Sequence, residues 1–254
     1  MTPRITLAVA SRVLTQLRRD RRTLAMLLVL PCLVLTLLWW MFDAKAGVGV
    51  SGFGALGPPL LALIPFIVMF LVTSVTTLRE RSSGTLERLL AMPTGKGDFL
   101  GGYALAFGLV AAAQSALAVA LSVFVLDLQI AGPGWMLVLV AVADAVLGTA
   151  LGLFVSAFAR TEFQAVQFMP AVVFPQLLLC GLFLPRDAMP RVLEAISDVL
   201  PLSYAVDAMT AVATTTGPGL GGVDGSAWSD LSVVLGFTLA ALGLGAATLR
   251  RRTP

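Results

Sequence analysis

Histidine is absent from the 254 residues, and cysteine occurs only at Cys32 and Cys180, both inside apolar stretches. Cys/His clusters hold structural zinc, and a disulfide framework needs more cysteines at regular spacing. The composition therefore gives no support for a metal site or for disulfides. An intramembrane protease or acyltransferase is also disfavoured, because no serine or cysteine stands beside a base at motif spacing.

Charged side chains are scarce as well. Asp, Glu, Lys and Arg make up 12% of the chain, hydrophobic residues make up 58%, and the charges cluster between long apolar runs. A soluble domain carries roughly 45–50% apolar and about 25% charged residues. The composition predicts a surface that mostly faces lipid, and nucleic acid is not an expected partner.

Six apolar runs are long enough to cross a hydrocarbon core of about 30 Å, for which a helix needs about 20 residues. Because only helices satisfy their own backbone in separate lipid-embedded segments, we predict an all-α integral membrane protein, with residues 1–254 as one domain. The predicted spans are 24–42, 56–78, 99–126, 135–159, 163–184 and 231–249. A signal peptide cleaved near residue 46 is the alternative for the first run, which exceeds the usual apolar length of about 7–15 residues.

The basic residues predict the orientation. If both termini are cytoplasmic, fourteen of the seventeen Lys and Arg residues fall inside, and only Lys45, Arg186 and Arg191 fall outside. Short cytoplasmic loops carry the excess of Lys and Arg in membrane proteins. We therefore predict a multi-pass protein of a bacterial plasma (inner) membrane with both termini in the cytoplasm.

Two segments outside the spans show helical periodicity. Within residues 1–23, apolar side chains recur opposite Arg12, which predicts an amphipathic helix on the cytoplasmic leaflet in contact with membrane lipid; a cytosolic extension of the first span is the alternative. Within the external connection 185–230, a short interfacial or re-entrant helix is expected after Pro190, ending at Pro201.

The cytoplasmic connection 79–98 contains the most distinctive motif. Residues 79–93 read Arg-Glu-Arg-x-x-Gly-Thr-Leu-Glu-Arg-Leu-Leu-Ala-x-Pro. Gly84 and Thr85 break and then cap a short helix, and leucines give that helix an apolar edge. Such a helix can dock in a groove of a partner protein, although the composition alone fits a solvated basic loop equally well.

This motif resembles the loop after the second span of type-2 ATP-binding-cassette (ABC) export permeases, especially the daunorubicin-resistance-like, multidrug exporter branch. Residues 162–185 and 200–204 also resemble the pattern of that family, so the likeness covers essentially the whole chain. The resemblance implies a dimer of permease chains that binds two cytoplasmic ATPase subunits, with re-entrant helices at 186–206. By the same resemblance the contact with the ATPase is formed by Glu80, Gly84, Thr85, Leu86, Glu87, Arg88 and Leu89.

No ATP site is expected on this chain. Gly95-Lys96 superficially resembles a phosphate-binding loop, but that motif needs Gly at position 90 and Ser or Thr at position 97, where the chain has Leu90 and Gly97. The expected cofactors of the complex, ATP and Mg²⁺, would therefore be bound by the partner ATPase.

Asp144 is the one ionisable residue well inside a predicted span. A carboxylate at mid-membrane costs about 2.5–3.5 kcal/mol, so the side chain should face the bundle or a cavity. Gly148 and Gly152 follow at small-x-x-x-small spacing, which allows close helix approach. Matched depth in neighbouring spans also makes a hydrogen bond between Asp144 and Gln114 possible.

Asp144 and the glutamines have two interpretations. They line the translocation path, or they are polar anchors between helices, which is the commoner role of such residues. The candidate residues are Asp144, Gln114, Gln167 and Gln176.

The sequence therefore predicts the membrane-spanning permease subunit of an ATP-driven exporter of drugs, antibiotics or lipid-like amphipathic molecules. The alternative is an ion-coupled secondary carrier without an ATPase. Its support is thin, because Asp144 alone is a poor candidate for a proton relay and no internal repeat is evident.

Overall fold

The computed structural model describes residues 3–43, 52–82, 95–159, 161–216 and 223–248, and the regular structure in these ranges is helical. This confirms the predicted all-α fold. The α-helices are α1 Pro3–Arg19, α2 Arg21–Asp43, α3 Phe53–Ser82, α4 Lys96–Phe124, α5 Gly134–Ser156, α6 Glu162–Leu179, α7 Arg191–Ser197, α8 Pro201–Thr214 and α9 Gly225–Thr248.

Within the described ranges, five helices are long and apolar enough to cross a membrane, namely α2, α3, α4, α5 and α9. The run predicted as the fifth span, 163–184, is helical only to Leu179. Its 18 residues cover about 27 Å, less than a hydrocarbon core, and they include three glutamines. The pair α7 and α8, bent by 89°, makes a sixth crossing if it is one broken span, and otherwise forms a re-entrant loop.

Helices α3 and α5 form the centre of the bundle and touch backbone to backbone. A Cβ atom built on Gly148 would lie 2.5 Å from the carbonyl oxygen of Phe66, and one on Gly152 would lie 2.6 Å from that of Phe70. The residue numbers rise together along the two helices, so α3 and α5 run parallel. The close approach predicted from the glycine spacing is confirmed, and it explains why most of both helices is buried.

The amphipathic helix α1 packs on α4. Val9, Val13 and Leu17 are buried with residues of α4, and a Cβ atom on Gly102 of α4 would lie 2.6 Å from the Cβ atom of Val9. The predicted amphipathic helix is therefore present, but its apolar face lies on protein rather than in the lipid leaflet. Sequence periodicity finds an apolar face without telling which surface covers it.

After α6 the chain turns sharply. Gly181 takes a positive φ of 93°, which is the left-handed region that glycine adopts without strain. A 3₁₀ turn, Arg186–Ala188, and helix α7 follow, with Pro190 just before the first residue of α7. Pro201 then opens α8, so the residue predicted to end one helix also begins the next. The short helices predicted between the fifth and sixth runs are confirmed.

Candidate energy-coupling site

The residues predicted to contact an ATPase lie only partly in the described chain. Glu80, in the last turn of α3, is described. The other six lie outside the described residues: Gly84, Thr85, Leu86, Glu87, Arg88 and Leu89.

Glu80 is bound to α1. Arg12 donates hydrogen bonds of 2.9 Å to Oε2 of Glu80 and to the hydroxyl oxygen of Tyr103 on α4. The Glu80 side chain is only 12% exposed. The position of Arg12 opposite the apolar residues suggested that it lies on the solvent side of the amphipathic helix. The structure shows instead that it contacts Glu80 and Tyr103. Its long side chain instead joins α1, α3 and α4.

The beginning of α4 is bound to the same helix. Thr6 Oγ1 of α1 donates to Asp98 Oδ1 over 3.3 Å, and the backbone N–H of Gly95 donates to Asp98 Oδ2 over 3.1 Å. The carboxylate also lies in the first turn of α4, where the helix dipole favours negative charge. Both flanks of residues 83–94 are therefore anchored on α1, at Thr6 and Arg12, which lie about 9 Å apart along the helix axis.

A second ion pair joins α3 to α6. Arg79 Nε and Nη2 donate to Oε1 and Oε2 of Glu162 over 2.9 and 3.0 Å, which is the bidentate geometry that makes such pairs specific. These hydrogen bonds hold the pKa of the Glu162 carboxyl below its usual value. Thr161 caps α6 by accepting from the backbone N–H of Gln164 over 3.2 Å. Sequence reasoning missed the pair, because no spacing rule relates residues 83 positions apart.

Asp144 and Gln114 do not form the predicted hydrogen bond. Both side chains are buried, and their oxygen and nitrogen atoms have no hydrogen-bond partner in the described part of the chain. Ser115 Oγ donates to the carbonyl oxygen of Ala141 over 3.1 Å, so the two helices do meet near the expected depth. Matched depth made this hydrogen bond possible without fixing the rotation of each helix about its axis, and the two described side chains do not form it.

The predicted glutamines separate into two kinds. Gln176 is buried, and its Oε1 accepts from the backbone N–H of Leu202 over 3.3 Å, at the start of α8. It therefore anchors α6 to the bent helix pair. Gln167 instead lies on the exposed face of α6, beside the exposed side chains of Val166 and Phe174.

The bent pair is held together by Arg186. Its guanidinium donates to Asp198, at the end of α7, and to Asp207 on α8, and it stacks over the ring of Tyr204 at 5.1 Å from the ring centroid. Tyr204 also donates to the carbonyl oxygen of Asp198 over 2.7 Å. Asp198 and Asp207 had no role in the sequence analysis, since only the fold brings them to one arginine.

These observations define a polytopic α-helical membrane protein in which helix α1 is bound to both flanks of the connection between α3 and α4. Residues 5–213 match the model of the ABC-2 type transporter family, and the chain belongs to this family. Membership confirms the resemblance found in the sequence.

Several named proteins resemble the chain. It is 28% identical over 150 residues to the probable multidrug ABC transporter permease YbhR of Escherichia coli, a match covering 59% of the chain and 41% of YbhR. It is 24% identical over 151 residues to the linearmycin resistance permease protein LnrN of Bacillus subtilis, covering 59% and 39%. A match to ABC transporter G family member 20 of Dictyostelium discoideum, 29% identical over 154 residues, covers 61% and 21%. The matched part is thus well under half of each relative.

Proposed function

We propose that the chain is the membrane permease of an ATP-driven exporter that works as a dimer with a separate cytoplasmic ATPase. The ATPase would bind the ATP and Mg²⁺. The observation that carries this proposal is the anchoring of both flanks of residues 83–94 on α1, through Glu80 and Arg12 and through Asp98 and Thr6. The complex would reside in a bacterial plasma membrane with both chain termini in the cytoplasm.

The anchoring supports a mechanism for coupling. A push by the ATPase on residues 83–94 would act on α1 as well. The ion pair of Glu80 with Arg12 and the hydrogen bond of Asp98 with Thr6 join the two flanks of this segment to α1. Helix α1 would pass the displacement to α4, against which it packs without a gap at Gly102. Tightly packed interiors transmit such displacements rather than absorbing them.

We infer that the substrate is a drug, antibiotic or lipid-like amphipathic molecule. YbhR is named a probable multidrug ABC transporter permease and LnrN a linearmycin resistance permease, and both names support this class. The exposed face of α6 also supports this class of substrate. Gln167 places a polar side chain among apolar neighbours there, which suits an amphipathic molecule better than pure lipid. Asp144 and Gln114 supply further polar groups inside the bundle, whereas Gln176 serves as an anchor.

Co-purification tests the proposal. The tagged chain is co-expressed with the product of the neighbouring gene, which the proposal expects to be an ABC ATPase, and the amount recovered with the tag is measured. We expect stoichiometric recovery from the natural chain and loss of recovery after Glu87→Ala with Arg88→Ala. The matched control is Arg191→Ala with Glu194→Ala on α7, which removes the same two charges outside the proposed contact.

Two results would count against the proposal in different ways. Failure of the natural chain to retain an ATPase would remove the exporter function. Full retention by the Glu87 and Arg88 variant would remove only the assignment of the contact to that segment.

A further inference from the structure

Helix α6 is packed much more loosely than the centre of the bundle. Three of its 18 residues are buried, namely Ala165, Val173 and Gln176, whereas fifteen of the 23 residues of α5 are buried. Pro170 and Pro175 also interrupt its backbone hydrogen bonding. Partly buried side chains such as Phe168 and Val172 pack against the core, and hydrogen bonds and an ion pair fix the two ends of the helix.

Hydrogen bonds connect the C-terminal end of α6 to the bent pair of helices. Gln176 accepts from the backbone N–H of Leu202, and Ser197 Oγ donates to the carbonyl oxygen of Leu179 over 2.7 Å. A displacement of α6 along its axis would therefore move the start of α8 and the end of α7 with it.

The cytoplasmic end of α6 is bonded to α3. A small buried cluster of Leu78, Ala159 and Ala165 lies there, beside the bidentate pair of Arg79 and Glu162. The next residue of α3, Glu80, is bonded to Arg12 of α1. The last turn of α3 is therefore bonded to α1 through one side chain and to α6 through its neighbour.

We propose that the ion pair of Arg79 and Glu162 is the link that transmits displacement of the cytoplasmic end of α3 to α6 and, through α6, to the bent pair. Both are positioning residues, since neither needs to touch a substrate. The inference rests on the proposed function, because it assigns the route by which ATP-driven movement reaches the bent pair.

Because the Arg79 and Glu162 side chains are exposed, their role in transmitting displacement can be tested without disturbing the folding of the protein. The Arg79 and Glu162 side chains are 61% and 50% exposed, and exposed ion pairs contribute little to stability. Variants of the pair should therefore fold and insert into the membrane. Any loss of ATP-dependent movement in them would then report on the coupling between α3 and α6. Reversing both charges restores the attraction with the partners exchanged, which allows a rescue test.

The experiment measures movement of α6 directly. In a background with both cysteines replaced by alanine, spin labels are placed at Leu7 on α1 and Phe163 on α6, which are both exposed. The distance between the labels is measured in the complex with the co-purified ATPase, without nucleotide and with Mg²⁺ and ATP. We expect an ATP-dependent shift in the otherwise natural chain.

The charge variants give the decisive comparison. Arg79→Glu and Glu162→Arg should each lower the ATP-dependent equilibrium constant between the shifted and unshifted distances by about threefold or more, the size expected of residues that couple two sites. The double variant Arg79→Glu with Glu162→Arg should recover most of it. The control Arg191→Glu makes the same charge change at an exposed position on α7 and should leave the shift intact.

Two outcomes overturn the link, namely single variants with an undiminished shift or a double variant that stays as impaired as the singles. Amide hydrogen exchange in the permease alone gives an independent arm. The first turns of α6 should exchange faster in Arg79→Glu and be restored in the double variant, and unchanged exchange contradicts the link even if no ATPase binds. Absence of any co-purified ATPase, with the expected exchange pattern, would instead count against the proposed function alone.

Discussion

At the scale of single residues, Asp144 is a buried polar side chain whose burial costs stability. The side chain is wholly buried in α5, and neither carboxyl oxygen has a hydrogen-bond partner among the described residues. Burying a polar group without a hydrogen bond costs free energy, and an apolar residue of similar size removes that cost. The anchor role, which needs a partner, loses its support in the described chain.

Replacing Asp144 by valine should therefore stabilise the protein. We expect a gain of about 1–3 kcal/mol in the free energy of unfolding, measured in mixed detergent micelles, because the unpaired polar group is removed. Asp144→Asn is the control, since it keeps a polar side chain of the same shape. A loss of stability in Asp144→Val would show that Asp144 has a structural partner after all.

Asp20 gives a pH prediction at the junction of α1 and α2. Its Oδ2 accepts from Thr23 Oγ1 over 2.7 Å and its Oδ1 from the backbone N–H of Thr23 over 3.1 Å, and these bonds hold its pKa below the usual 3.8. A lowered folded-state pKa means that the stabilisation is present above pH 3.8 and is lost as the pH falls through the folded-state value. The protection factor of the amides at the start of α2, which is the intrinsic exchange rate divided by the observed rate, should fall in that acid range, and Asp20→Asn should remove this pH dependence. An identical pH profile in both proteins would contradict the prediction.

At the scale of helices, the contact of α3 with α5 depends on the absence of two side chains. A Cβ atom on Gly148 would meet the Phe66 carbonyl oxygen at 2.5 Å, closer than atoms approach in folded proteins, so the helices would have to separate. We expect Gly148→Ala to lower the free energy of unfolding by about 1–3 kcal/mol.

Gly236→Ala on α9 is the matched control. A Cβ atom there meets nothing within 4 Å, so the substitution should be neutral or slightly stabilising, as expected for alanine within a helix. Equal effects of the two alanines on unfolding in detergent would show that the close contact does not govern stability.

The long helices could be predicted from the sequence, whereas the contacts between distant segments could not. Apolar runs marked α2, α3, α4, α5 and α9 because lipid imposes a minimum length on every spanning helix. Helix α6 was overestimated, since its apolar run continues past Leu179 into the turn at Gly181. The pairs Arg12 with Glu80 and Arg79 with Glu162 depend on how helices rotate and pack, which no local pattern encodes.

At the scale of the whole molecule, the distribution of basic residues predicts the orientation in the membrane. Cysteines placed at Ser11 on α1 and Ser226 on α9, both exposed, should react with an impermeant thiol reagent from opposite sides of the membrane. Cys32 and Cys180 are first replaced, so that only the introduced thiols react. Labelling of both positions from one side would contradict the predicted arrangement with cytoplasmic termini.

The arrangement of the bundle separates a rigid part from a loosely held part. Helices α3 and α5 pack backbone to backbone and α8 is mostly buried in the same core, whereas only three residues of α6 are buried. Movements of elements with few buried contacts cost less free energy than repacking of a core. In the proposed transport cycle, α6 should therefore move more readily than α3 or α5.

The most direct test of the account is transport in inverted membrane vesicles that contain the chain and its co-purified ATPase. The account predicts accumulation of fluorescent amphipathic dyes that requires ATP and is lost when the phosphate-loop lysine of the ATPase is replaced. It also predicts that accumulation persists after a proton ionophore collapses the ion gradient. Accumulation that needs the ion gradient and continues without ATP would contradict the account and favour an ion-coupled carrier.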